Sequence, residues 1–249
     1  MRKNVIKMLI CAFLLMLIMV EYGYAVNNEQ EMTEMLEDKI GIDEKVTKKA
    51  YLTFDDGPSI YTEGLLEVLG EYNVPGIFFV LGKQFEYFPN TDEILLKILD
   101  EGHHIALHTM THDKHALYWS EKAPSTFAEE MLELKEELKL RTGHSTNLCR
   151  APYGKSGHFK LTHFKAIEDA GLYCIDWHID SKDWAKLNAV EIYNEVKNQL
   201  KGYKDQSEIV LLFHEYERTI EVLPKVIELL VEYGFEFEPY VEGKKFEGL

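Results

Sequence analysis

Seven short apolar runs recur along the chain from residue 50 onward: "AYLTF" (50–54), "GIFFVL" (76–81), "HIAL" (104–107), "NLC" (147–149), "LYCI" (172–175), "IVLLF" (209–213) and "FEFEPYV" (235–241). Their shortness and their β-branched and aromatic content predict buried strands. Between them lie longer stretches in which apolar residues return at helical spacing: 62–72, 91–101, 126–141, 159–170, 189–201 and 220–233. The third is the clearest. Thr126 and Glu129 form a capping box, Phe127, Met131, Leu134 and Leu138 share one face, and Gly143 stops the helix. Strands that alternate with helices predict an α/β fold, a parallel sheet or barrel with the helices outside.

The first 49 residues follow another pattern. Arg2, Lys3 and Lys7 make a positive head, and residues 8–20 are an unbroken apolar run of 13. Gly23-Tyr24-Ala25 then offers a small-x-small cleavage site. The run is short for a membrane span, so residues 1–25 read as a secretory signal peptide, with an uncleaved anchor as the alternative. Residues 26–49 are polar with weak periodicity and read as a linker or leader. The expectation is therefore an exported protein, extracellular or cell-envelope associated, with one catalytic domain over 50–249 and no stable membrane partner once the signal is cleaved.

Composition narrows the partners. The 249 residues carry a formal charge of −16, and removal of three positive charges and one negative with residues 1–25 brings this to −18. Such a surface disfavours nucleic acid and anionic membranes. Cys11 leaves with the signal, so Cys149 and Cys174 remain. Two thiols in apolar runs predict free buried cysteines rather than a disulfide framework.

Polar clusters follow the predicted strands. Asp55-Asp56 follows the first, "HTMTH" (108–112) the third, "RAPYG" (150–154) the fourth, "DWHIDSKDW" (176–184) the fifth and "HE" (214–215) the sixth. In a parallel β/α barrel, the C-terminal strand ends share one face, and that face carries the chemistry. His108 and His112 are four apart, so on a helical turn both imidazoles would point the same way. Two histidines and one carboxylate suit a divalent metal with an open water position. Asp56 can complete that set, which leaves Asp55 to accept a proton from water. The plainer reading of Asp55-Asp56-Gly57-Pro58 is a solvated turn. Arg150 can hold a carboxylate in a fixed fork, or form an ordinary ion pair. His214 can titrate, or sit neutral in the core. Trp177 and Trp184 can be core or can line a sugar groove. Histidines 103, 104, 115, 144, 158, 163 and 178 show no ligand spacing and are read as surface or structural.

In order and spacing, these clusters resemble the five motifs of the polysaccharide deacetylases of the NodB-homology type, carbohydrate esterase family 4. "TFDDGPS", "HTMTH", "RAPYG", "DSKDW" and "LFH" stand for the five, over roughly residues 50–243. The resemblance implies a distorted (β/α) barrel of seven parallel strands. It implies a metal held by Asp56, His108 and His112, usually zinc, with cobalt or manganese as alternatives. Asp55 would be the general base, oriented by Arg150. The Tyr153 backbone N–H would help to hold the oxyanion, and His214 would be the general acid, tuned by Asp180. Leu212 and Trp184 would shape the acetyl pocket. Two positions depart from the usual pattern: Glu215 stands where many members have Asp, and Ala106-Leu107 where many have Gly-Asn.

The implied activity is removal of N-acetyl groups from an amino-sugar polysaccharide, peptidoglycan or another N-acetylglucosamine polymer, by a monomeric enzyme. An O-deacetylase of acetylated xylan would use the same site. A catalytically inert carbohydrate-binding barrel would lack Asp55, a ligand or His214, and all are present.

Overall fold

The computed structural model describes residues 47–88, 90–185 and 187–249. The predicted signal peptide and nearly all of the leader therefore lie outside the described residues. In chain order the elements are β1 (Lys48–Gly57), α1 (Thr62–Tyr72), β2 (Gly76–Val80), α2 (Thr91–Asp100), β3 (His104–Leu107), α3 (Ala123–Thr142), β4 (Leu148–Cys149), α4 (Leu161–Asp169), β5 (Tyr173–Cys174), β6 (Ile179–Asp180), α5 (Ala189–Tyr203), β7 (Glu208–His214), α6 (Glu217–Glu232) and β8 (Phe235–Phe237). Among the described residues no helix is long and apolar enough to cross a membrane.

Seven strands follow one another across the sheet in the order β5-β4-β3-β2-β1-β7-β6, and all the pairings are parallel. β8 pairs with the start of β1. The fold is the seven-stranded, distorted α/β barrel, curled and open between β5 and β6. The seven apolar runs supply every strand except β6, whose two residues are too few to show a pattern. The last run forms a strand only over Phe235–Phe237, because Pro239 cannot continue the ladder. Helix α3 starts at Ala123, so Thr126 lies inside it, the expected capping box with Glu129 does not form, and no side chain caps the Lys122 end. Pro124 occupies its first turn, where its fixed φ suits a helix start and its missing N–H costs nothing. Helix α6 likewise begins at Glu217, before the expected residue 220.

Strand alternation sorts the core into two layers. Leu52 and Phe54 of β1, Phe78 and Val80 of β2, and Ile209, Leu211 and Phe213 of β7 face the helices. There they meet Leu65, Leu69, Val222, Val226 and Leu230. Each such fully buried side chain contributes about 1.5–3 kcal/mol relative to exposure. Tyr51, Ile77, Phe79, Ala106, Leu148 and Val210 face inward, and Tyr240 and Phe246 join them in the same cluster. Period-2 alternation then continues each inward row beyond its apolar member. Tyr51 leads to Thr53 and Asp55, Ala106 to His108, Leu148 to Arg150, and Val210 to Leu212 and His214. Register places Asp55 beside His214 and Thr53 beside Leu212. The inward rows thus change from apolar to reactive at the C-terminal strand ends.

Candidate active site

The reactive residues surround a cleft of about 380 Å³, lined by Asp55, Asp56, His108, His112, Tyr153 and His214 together with Trp177, Asp180, Trp184, Leu212 and Tyr216. A larger hollow of about 930 Å³, lined in part by Glu63, Glu67, His103 and Phe237, contains none of the predicted site residues.

Asp56 stands at an irregularity in β1. The register with β2 shifts between Asp55 and Gly57, and Asp56 has a φ of 73°. This turns its carboxylate away from the inward row that Asp55 continues. Asp56 Oδ1 lies 3.5 Å from Nε2 of His108 and 3.5 Å from Nε2 of His112. It is buried without a hydrogen-bond partner. The three residues offer ligand atoms within 4.8 Å of one another. Metal–ligand bonds of about 2.0–2.1 Å in a tetrahedron put neighbouring ligands roughly 3.4 Å apart, which both Asp56–histidine distances match. His108 Nδ1 donates to the Arg150 carbonyl at 2.9 Å, which leaves Nε2 as the acceptor. Burial pulls the His108 pKa down to about 3, against the Asp56 charge, and lowers that of His112 for the same reason. Both are thus neutral imidazoles, the form that ligates metal. The two rings come together on an irregular loop rather than the helical turn expected from their spacing.

Asp55 is 2% exposed. Its Oδ1 accepts from Arg150 Nη1 at 2.8 Å, and the same nitrogen reaches Thr53 Oγ1 at 2.7 Å. Arg150 Nη2 donates to the Asp176 carbonyl at 3.1 Å, and the guanidinium lies 4.1 Å from the centre of the Phe79 ring. This buried, bonded arginine is no surface ion pair. Burial raises the Asp55 pKa, and the Arg150 charge opposes the rise. The second oxygen, Oδ2, remains toward His108, 3.8 Å from its Nε2.

His214 corrects one expectation. Its partner is Asp183, not Asp180. Asp183 is fully buried, and its Oδ1 lies 2.8 Å from His214 Nδ1. Its Oδ2 accepts from the His214 amide at 2.7 Å and from Thr219 Oγ1 at 2.8 Å. Asp180 instead folds onto its own turn, accepting from the Lys182 amide at 2.9 Å and from Trp184 Nε1 at 3.2 Å. It lines the cleft but does not hold the histidine. Burial pulls the His214 pKa down, yet the Asp183 hydrogen bond and charge, with help from Asp55 and Asp56, outweigh it and leave it at about 9.

Tyr153 has a φ of 64° and is half-exposed. Its backbone N–H donates to nothing among the described residues. Tyr118 Oη supports this loop by donating to the Pro152 carbonyl at 2.7 Å. Trp177 and Trp184 both reach the cleft, which decides between core and groove for each. Glu215 is buried behind the first cluster, where its Oε2 accepts from Ser59 Oγ at 2.7 Å and Thr62 Oγ1 at 2.5 Å. Burial raises its pKa to about 7. A Cβ at position 57 would lie 1.9 Å from Glu215 Oε1, so Gly57 is the residue that lets this glutamate fit.

The family model described as polysaccharide deacetylase matches residues 43–175. The chain belongs to the polysaccharide deacetylase family. A peptidoglycan-N-acetylglucosamine deacetylase of Bacillus cereus (strain ATCC 14579) is 31% identical over 206 residues, 81% of this chain and 72% of its own. A chitooligosaccharide deacetylase of Bradyrhizobium sp. (strain ANU 289) is 31% identical over 209 residues, 78% of this chain and 89% of its own. A relative from Bacillus subtilis (strain 168) is 34% identical over 193 residues, of which this chain spans 66% of the length. Among solved structures, a polysaccharide deacetylase from Bacillus cereus superposes with a TM-score of 0.71 at 30% identity, covering 80% of this chain and 95% of that one.

Every predicted site residue lies in or directly behind the cleft. Sequence reasoning missed Asp183, Thr53 and Tyr216. "DSKDW" contains both Asp180 and Asp183, and nothing in the string tells which reaches His214. Tyr216 stacks on His214 with ring centres 5.8 Å apart, and its only sequence signal was an aromatic two residues after the histidine.

Proposed function

We propose that this exported enzyme removes N-acetyl groups from N-acetylglucosamine in peptidoglycan, using a divalent metal, zinc, held by Asp56, His108 and His112. The observation that carries the reading is the convergence of these three side chains with a pinned carboxylate and a charged histidine in one cleft. When bound, the ion supplies Lewis acidity that makes a water acidic near neutral pH and polarises the acetyl carbonyl.

The chain's own residues account for the remaining steps. Asp55, held at Oδ1 by Arg150, presents Oδ2 to take the proton of the attacking water. Its raised pKa brings the base closer to the pH at which it works. The Tyr153 backbone N–H donates to the oxygen on which negative charge develops. His214, kept protonated by Asp183, faces the cleft through Nε2 and gives its proton to the departing amine. Acetate and the free amino sugar result. Leu212 and Trp184 enclose the acetyl methyl group, and Asp180 fixes the Trp184 indole. The relatives named as peptidoglycan and chitooligosaccharide deacetylases support an N-acetylglucosamine polymer, and the signal-like N-terminus supports a substrate outside the cell.

Acetate release from peptidoglycan, chitooligosaccharides, poly-N-acetylglucosamine and acetylated xylan, after metal reconstitution, tests the reading. Release from peptidoglycan in preference to the other three supports it. Release from acetylated xylan alone would make the enzyme an O-deacetylase. No release from any of them would remove the catalytic reading.

A further inference from the structure

The loop that carries His108 and His112 is not part of a helix or a strand. Two of its residues, Thr109 (φ 72°) and His112 (φ 59°), take left-handed backbone conformations that side chains disfavour. Such a loop keeps its shape only where its surroundings hold it. On one side the amides of Gly82 and Lys83 donate to the carbonyls of Thr109 and Met110, at 3.1 and 2.8 Å. Gly82 is needed there, because a Cβ would sit 2.2 Å from Met110 Sδ and 3.1 Å from Met110 Cα.

On the other side stands Glu130 of α3, 8% exposed. Its Oε2 accepts from the amides of Met110 and Thr111, at 3.1 and 2.9 Å. Its Oε1 accepts from Thr111 Oγ1 at 2.8 Å. Thr111 Oγ1 accepts in turn from the Asp113 amide at 3.1 Å, and Thr109 Oγ1 from the His112 amide at 3.1 Å. Every side-chain hydrogen bond of Glu130 among the described residues goes to this loop. Burying a carboxylate is costly unless its oxygens are satisfied. The neighbours of Glu130 on the helix, Phe127, Met131 and Leu134, are ordinary core residues. Packing alone would favour another apolar side chain at 130.

We propose that Glu130 is a positioning residue of the metal centre. It clamps the backbone at 110 and 111 and so fixes where His112 Nε2 stands relative to Asp56 and His108. This rests on the reading of Asp56, His108 and His112 as metal ligands. Groups that orient ligands through one intermediate contact typically matter about 10–100-fold in metal affinity.

The test uses metal-free wild type, Glu130→Ala, Glu130→Gln and Leu134→Ala, the last weakening the same helix without touching a loop hydrogen bond. Zinc affinity is measured by chelator competition, and amide hydrogen exchange at Met110 and Thr111 is followed without metal. Expected is a loss of zinc affinity of about 10–100-fold in Glu130→Ala, a smaller loss in Glu130→Gln and near wild-type affinity in Leu134→Ala. Faster exchange at the two amides should accompany the loss. If Glu130→Ala does not fold, Glu130→Gln, which keeps the volume, decides by the same comparison. Unchanged affinity and exchange in the Glu130 variants overturns the proposal, as does an equal loss in Leu134→Ala. Failure of wild type itself to bind zinc, cobalt or manganese overturns the metal reading and this proposal together.

Discussion

Replacing Asp183 by asparagine isolates the charge that keeps His214 protonated. The variant keeps the shape of a side chain that has no solvent access and removes its charge. In the native protein burial lowers the His214 pKa, and Asp183 is the largest force raising it, from 6.5 to about 9. At about 1.4 kcal/mol per unit, the net shift favours the imidazolium by about 3 kcal/mol. Without the Asp183 charge, burial is opposed only by the weaker pulls of Asp55 and Asp56, and the pKa falls back toward the ordinary 6.5. The alkaline limb of kcat/KM, which reports loss of the acid's proton, should therefore move down by about two units. A cation at Asp56 would offset the pull of Asp55 and Asp56 in both proteins alike, so the difference between them is the quantity to read.

Stability should follow the same shift. A raised histidine pKa contributes stability that is fully present below the unfolded value near 6.5 and is lost as pH rises through about 9. The gap in unfolding free energy between wild type and Asp183→Asn should thus be largest near pH 6. It should narrow by about 3 kcal/mol on the way to pH 9.5. A residue of about 1–3 kcal/mol should persist at high pH, because asparagine cannot accept from all three donors. The assays are kcat/KM on an N-acetylated oligosaccharide across pH, and urea unfolding at both ends of the range. Asp180→Asn is the control, with its limb close to wild type. An alkaline limb that does not move in Asp183→Asn, or a stability gap that fails to narrow, would refute the reasoning.

Other consequences follow from the same geometry. Asp56→Asn should lose metal on dialysis and regain activity in excess zinc, whereas Asp55→Asn should keep its metal and stay slow at any zinc concentration; metal content and zinc-titrated rates separate the two. His214→Ala should retain metal while turnover falls by about 10²–10⁴, and unchanged turnover would remove it from the reaction. A thiol reagent should label half-buried Cys174 before Cys149, which is buried and whose thiol pKa is raised by that burial. A mass two units low before reduction would instead reveal a bridge.

The sequence made the strands and their ends legible because each inward row is a period-2 pattern that ends in chemistry. Asp55, His108, Arg150 and His214 all sit where that period places them. The local turns were not legible. The "HTMTH" spacing suggests a helix, but the loop bends through two left-handed residues, held from outside by the amides of Gly82 and Lys83 and the carboxylate of Glu130. Those contacts come from residues about 20–30 positions away, which a local pattern cannot show. Cys174 was expected to be fully buried. It is only partly buried because β5 is the edge strand of an open sheet.

The adjacency of Asp55 and Asp56 now has a physical account. Two neighbouring carboxylates would repel on a regular surface turn, and alternation alone would send one of them into the helix layer, where no charge is tolerated. The shift in register at the end of β1 and the left-handed backbone at Asp56 prevent that outcome. Asp55 keeps the inward direction of Tyr51 and Thr53, nearly closed to water and bound to Arg150. Asp56, whose side chain is 34% exposed, swings to the two histidines. Gly57 follows because Glu215 fills the space behind it, and Ser59 and Thr62 follow because they satisfy that buried glutamate. The order of residues in "DDGPS" is therefore set by two different needs. In the proposed mechanism the base is held still in a dry place, and the ligand leaves the strand to reach its partners. The left-handed backbone of Asp56 itself, at the shift in register after Asp55, meets both.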